Sequence, residues 1–182
     1  MRRSGGLAAR RKEGWISAVS RSARPAVRLS VAFLLSCTPI TTRPDFRPDP
    51  RALVIILDAR PERVTTVLDS LVPAESLEVA RANVRDGYVE TAWYDTQAHR
   101  TRQHEREITN LAATVKIRFW ADPWVPGQTR LTVEPAYRPR YDPSRPERDL
   151  EVIAPKEHEG YKIAERFVDK LKERFGVPKA AR

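Results

Sequence analysis

Few residues in this chain are equipped for chemistry. It has one cysteine, Cys37, and three histidines. Nucleophilic catalysis needs a serine or cysteine beside a base, and no Gly-x-Ser-x-Gly turn is present. The seven glycines form no run that would cradle a phosphate. Zinc chemistry needs histidine, cysteine or carboxylate at ligand spacing. His104-Glu105-Arg106-Glu107-Ile108 opens like a His-Glu-x-x-His helix, but Ile108 stands where the second histidine would coordinate. His99 and His104 fall in a polar stretch and read as solvated loop residues. No catalytic residue, metal site or cofactor is expected. Trp93, Trp120, Trp124 and Tyr137 crowd the ends of strand-like runs. Such aromatics pack a core, present a surface to a partner, or line a ligand cleft between sheet and helix.

The surroundings of Cys37 are more informative. Arg21, Arg24 and Arg28 precede the apolar stretch Leu29, Val31, Ala32, Phe33, Leu34 and Leu35, and Ser36 follows as a small residue. Positive, apolar, then small is the order of a secretory leader. The 8-residue run from Leu29 to Ser36 is far short of the roughly 20 residues that span a bilayer as a helix. After Cys37 the chain turns polar, and Pro39, Pro44, Pro48 and Pro50 oppose helix and favour an extended tether.

Leu34-Leu35-Ser36-Cys37 resembles a bacterial lipobox. The resemblance implies cleavage just before Cys37, a diacylglycerol on its thiol and a third acyl chain on its new amino group. Two or more acyl chains hold a protein stably at a membrane where one does not. Thr38 stands where an aspartate would retain such a lipoprotein in the inner membrane, so the resemblance implies the outer membrane. The alternative is an incidental or buried cysteine at the edge of an apolar segment. Twenty residues precede Arg21, and a start at Val19 would give a leader of ordinary length. The expected organisation is a signal segment over 1–36, a lipidated cysteine and flexible tether over 37–50, and a domain over 51–182.

The net charge of +9 suggests a nucleic-acid binder until it is located. Residues 1–36 hold eight lysines and arginines against Glu13 alone, which leaves +2 for the rest of the chain. Arg60, Arg63, Arg81, Arg85 and Arg100 are interleaved with Asp58, Glu62, Asp69, Glu78 and Asp86, as on a solvated mixed-charge face. The electrostatic case for a phosphate backbone is thereby largely removed.

The elements that would carry any surface follow from periodicity. Ala52–Leu57 is a short, β-branched apolar run and reads as a buried strand. Val64, Val67, Leu68, Leu71 and Val72 repeat as on one helix face, which Pro73 ends. Asp86-Gly87 marks a hairpin whose return strand is Tyr88–Tyr94. Strict alternation there puts Val89, Thr91 and Trp93 on one face, with Tyr88, Glu90, Ala92 and Tyr94 on the other. Val115, Ile117 and Phe119 alternate with Thr114, Lys116 and Arg118. A turn over Pro123–Gly127 leads to a strand over Gln128–Tyr137, and the proline-rich 138–155 reads as a surface loop. Tyr161, Ala164, Phe167, Val168, Leu171 and Phe175 mark a final helix, stopped by Gly176 and Pro178. An α+β domain results: one antiparallel sheet of about five strands with two helices on one face, helix-grip-like, and a solvated second face carrying Glu90, Lys116, Arg118 and Arg130.

With those elements in place, Gly87-Tyr88-Val89-Glu90-Thr91-Ala92-Trp93 is similar to a segment of BamC-type (NlpB-type) lipoproteins, whose glycine, threonine and tryptophan it shares. The resemblance implies a non-enzymatic accessory of outer-membrane assembly or maintenance, facing the periplasm, with a membrane anchor on Cys37 and an envelope protein as partner. Two other readings stay open: a carrier holding an apolar ligand between sheet and helix, and a basic nucleic-acid-binding protein using the N-terminal arm.

Overall fold

The computed structural model describes residues 43–102 and 110–178. The expected lead strand is β1 (Leu53–Leu57). Pro61, whose fixed φ suits a first helical turn, opens α1 (Pro61–Ala74), and Pro73 falls within its last turn. The strands β2 (Val79–Asn83), β3 (Tyr88–Thr91), β4 (Trp93–Asp95) and β5 (Arg100–Arg102) follow. Then come the long pair β6 (Thr114–Pro123) and β7 (Thr129–Tyr137), a short α2 (Glu147–Leu150), β8 (Val152–Ile153) and α3 (Glu159–Phe175).

The sheet runs in the order β1-β7-β6-β3-β2, with β4 on β6, β5 on β4 and β8 on β7. Every pairing among the described residues is antiparallel. The expected α+β class with an antiparallel sheet holds, but the sheet has eight strands rather than five, and a third, short helix, α2, falls in the stretch expected as surface loop. Two of the additions, β5 and β8, are two or three residues long and lie in stretches too polar or proline-rich to announce a strand. The third arises because the segment expected as one strand, Tyr88–Tyr94, is two. β3 pairs Glu90 with Arg118, whereas β4 pairs Tyr94 with Val115, so β3–β4 carries one residue more than β6 at the join. The extra residue is a bulge around Ala92, whose N–H turns away to the Glu78 carbonyl.

Pro135 sits in the middle of β7, where a missing N–H would normally break a ladder. Its free edge falls between two short partners: β1 ends its pairing at Val133 and β8 begins at Ala136.

α1 and α3 lie on one face and bury a single core. Val64, Leu68 and Val72 from α1, and Ile163, Ala164, Phe167 and Leu171 from α3, close on Val89, Val115, Ile117, Phe119, Leu131 and Val133. Phe119 and Phe167 meet edge to face at 5.2 Å, and both are fully buried. The space between sheet and C-terminal helix, where an apolar ligand would sit, is filled there by the protein's own rings.

The second face of the sheet is solvated only in part. Arg130 stays exposed as expected, but Glu90 and Arg118 are buried and Lys116 nearly so, because a strap formed by residues 43–50, which the prolines mark as tether, and the segment 138–151 lie over the middle of that face.

Candidate functional site

The covered face holds a row of charges. Register places Glu90 of β3, Arg118 of β6 and Glu134 of β7 side by side across three strands. Arg118 donates to Glu134 at 3.0 Å and to both oxygens of Glu151 at 2.8 and 2.6 Å, and its Nε stands 3.9 Å from Glu90. Lys116 pairs with Glu90 at 3.2 Å, Arg148 with Glu151 at 2.8 Å, and Arg138 with Glu147 at 3.5 Å. Four cations thus meet four carboxylates. The Arg118 side chain is only 4% exposed, and Glu134 and Glu151 are 2% exposed. Phe46 lies over this row, its ring 4.0 Å from the Arg148 guanidinium and 5.2 Å from that of Arg118. The Asp49 backbone N–H, further along the same strap, donates to Glu134 at 2.6 Å.

Burial opposes ionisation of Glu90, but Lys116, the Tyr88 hydroxyl and Arg118 outweigh it and hold the carboxyl below its ordinary range. Tyr88 moves the other way. Burial first, then its hydrogen bond to Glu90 at 2.5 Å, push its phenol far above the usual value. Burial opposes the charge on Arg118, but Glu151 and Glu90 hold the guanidinium more firmly protonated than usual. The network is balanced and closed, and its chemistry is to fasten the strap and the 138–151 segment to the sheet.

The glycine, threonine and tryptophan of the 87–93 segment each have a structural task. Gly87 has φ +66°, and a Cβ there would lie 2.3 Å from the Ala121 carbonyl oxygen. The Ala121 N–H in turn donates to the Gly87 carbonyl at 2.7 Å. The Thr91 hydroxyl accepts from the Ile117 N–H at 2.9 Å, replacing the ladder bond that the bulge removes. Trp93 lies between two cations, with Lys116 at 4.6 Å and Arg138 at 4.7 Å from its ring, and donates its indole N–H to Glu147 at 2.8 Å.

The four aromatics, open to core packing, a partner surface or a ligand cleft, do not come together. Trp93 and Trp120 are buried on the covered face, and Trp120 stacks obliquely on Tyr88 at 5.5 Å. Tyr137, half-buried at the other end of β7, packs against the His158 ring at 4.9 Å. Only Trp124 is presented to solvent, at 56% exposure. Alternation along a strand assigns a face, but not whether another segment covers that face.

Two concavities bracket the sheet. At the end where α3 begins, a hollow of about 500 Å³ is lined by Thr96, His99, Asn110, His158 and Glu159. His158 looks like a base but is already engaged. Its Nδ1 accepts from the Gly160 N–H at 2.9 Å as the cap of α3, so Nε2 carries the proton and donates to the Ala112 carbonyl at 2.6 Å. Among the described residues no cluster of three or more His, Cys, Asp or Glu could hold a metal ion.

At the opposite end a groove of about 540 Å³ runs beside the β6–β7 turn, with Arg43, Arg60, Arg85 and Trp124 in its lining. Several connections converge here. Arg43 ties the start of the strap to the Asp86 carbonyl at 3.2 Å and to Asp122 at 2.7 Å. Leu57 at the end of β1 pairs with Thr129. The Asp58 N–H meets the Gly176 carbonyl just after α3. Val84, Trp124, Val125 and Val177, four of the seven large apolar residues exposed among the described residues, therefore share this one end, while Val54, Tyr141 and Val152 lie elsewhere. Arg130 lies 5.9 Å from the Trp124 ring. The arginines 43, 60, 63, 85 and 130 are largely offset by Asp58, Glu62, Asp86 and Asp122 around the same end. This surface is suited to contact something outside the chain, and of the four aromatics singled out from sequence only Trp124 belongs to it.

Cys37, the residues before it and His104 lie outside the described residues. Among the described residues no helix is long and apolar enough to cross a membrane. Comparison of the chain with protein-family models, curated proteins and solved structures gave no match.

Proposed function

We propose that this chain is a lipid-anchored lipoprotein of the cell envelope, a non-enzymatic scaffold or accessory module in outer-membrane assembly or maintenance. The observation that carries the reading is Leu34-Leu35-Ser36-Cys37 at the close of a positive and then apolar segment. Acyl chains on Cys37 confine the domain to a thin layer at the membrane and raise its effective concentration toward partners there. A body whose buried charges are spent on holding itself together, with exposed apolar residues beside the β6–β7 turn, suits a positioning role. The similarity of the 87–93 segment to BamC-type lipoproteins supports the outer-membrane assignment and an envelope protein as partner.

The test is mass spectrometry of the native N-terminus purified from membranes of the producing cell. A chain beginning at an acylated Cys37 is expected, with globomycin blocking its maturation. A native chain that keeps an unmodified Cys37 thiol and its full N-terminal segment would refute the reading.

A further inference from the structure

We infer that the β6–β7 turn and its neighbours form a membrane-docking end, with Trp124 and Val125 inserted at the interfacial level of a phospholipid bilayer. The inference rests on the proposed lipid anchor and adds which end of the domain faces the bilayer.

Covalent reach comes first. Arg43, where the described chain begins, is pinned beside the turn by Asp86 and Asp122. Six residue steps separate it from Cys37, and a fully extended chain covers at most roughly 3.6 Å per step, or about 20 Å. A body held that closely by the strap's first residue keeps this end near any surface that holds the cysteine. The opposite end, with α2 and the start of α3, lies the length of β6 and β7 beyond Arg43.

Surface chemistry points the same way. Val84, Trp124, Val125 and Val177 are exposed at this end, and Arg60, Arg85 and Arg130 beside them are a side-chain type whose stem lies on apolar surface while its head reaches water. Tryptophan is the side chain that favours the boundary between headgroups and acyl chains. Asp58, Glu62, Asp86 and Asp122 offset most of the arginine charge there, so docking is driven by apolar insertion and survives high salt, unlike the attraction of a basic patch for anionic lipid.

Trp124 supplies its own probe, because Trp93 and Trp120 are buried. The protein is extracted from its own membranes and reconstituted into vesicles of phosphatidylethanolamine and phosphatidylglycerol, with and without bromine on the acyl chains. The emission assigned to Trp124 is the difference between the wild type and Trp124→Phe. Mass spectrometry of the same sample reports whether Cys37 is acylated. The expected result is loss of the Trp124 emission in brominated vesicles at low and high salt, and its return in Val125→Asp. Both substitutions lie at exposed positions and leave the core intact.

Emission that stays unquenched while Cys37 is acylated overturns the docking end and leaves the anchor standing. Quenching with an unmodified Cys37 supports the docking end and removes the anchor. No quenching and no acylation removes both. Shielding of Trp124 in native membranes but not in protein-free vesicles overturns the lipid assignment in favour of a protein partner.

Discussion

Arg118→Leu is the sharpest probe of the covered face. The substitution keeps apolar bulk in the strand and deletes the one cation that touches three carboxylates, Glu134, Glu151 and Glu90. Two of these are 2% exposed, so water cannot replace the guanidinium. Arg148, 37% exposed itself, still pairs with Glu151 at 2.8 Å, and Lys116 with Glu90 at 3.2 Å; Glu134 loses most, keeping Arg148 at 3.6 Å and the Asp49 N–H. Removing one partner of a buried ion pair costs about 3–5 kcal/mol because the remaining charge stays buried. That is a large part of the 5–15 kcal/mol typical of a whole domain. The loss also has a pH signature. Arg118 is among the groups that hold the Glu90 carboxyl below its ordinary range. That share of the deficit is fully present at neutral pH and is lost as pH falls below the ordinary carboxylate range and Glu90 takes up a proton. Urea unfolding followed by tryptophan emission, repeated between pH 7 and pH 3, measures both. Ile117→Val, a buried change on the helix side of the same strand, is the control. It should cost about 0.5–1.5 kcal/mol with no pH dependence. A deficit for Arg118→Leu below about 1 kcal/mol, the level of an exposed pair, or one that does not change with pH, would refute the account of the network.

Two further predictions concern the 87–93 segment. Gly87→Ala should cost clearly more than Gly127→Ala. Both glycines have positive φ, but a Cβ at 87 meets the Ala121 carbonyl oxygen at 2.3 Å while one at 127 meets nothing. The left-handed backbone accounts for about 1–2 kcal/mol at either position, so equal losses on thermal unfolding would show that the contact is relieved without strain. Tyr88 has a raised folded-state pKa, so its contribution to stability is complete below the ordinary phenol value near 10 and is lost as pH rises above it. The stability gap between wild type and Tyr88→Phe should therefore narrow in alkaline denaturant titrations. A gap of the same size at neutral and alkaline pH would contradict the buried hydrogen bond to Glu90.

Periodicity in the chain was enough to place β1, α1, β6, β7 and α3 and to name the face that meets the helices. Each of these depends only on where apolar side chains recur along one local element. Val115, Ile117 and Phe119 are core residues because alternation in a straight strand leaves no other choice. The same rule failed at Trp93. It grouped Trp93 with Val89, yet the bulge at Ala92 reverses the faces. Tyr94 therefore joins Val89 in the core, while Trp93 turns toward Lys116 and Arg138. A bulge is a mismatch in length between two paired strands, and neither strand alone records it.

The fate of the second face was equally hidden. Lys116, Arg118, Glu90 and Arg130 are the residues a solvated face would carry; Arg130 stays exposed, and the other three read differently only once opposite charges arrive from residues 147–151 and Phe46 closes over them. Pro44, Pro48 and Pro50 spoke for extended chain along 43–50, and no helix forms there. Extension is local, whereas docking depends on Arg43, Phe46 and Asp49 finding partners from 40 to 100 positions away. The sequence alone determined the elements, the helix-facing core and the special setting of Cys37, because each is written in neighbouring residues. Only the tertiary structure decided which charges are buried, which tryptophan meets the solvent and which end the chain from Cys37 enters, because each depends on contacts between segments far apart in the chain.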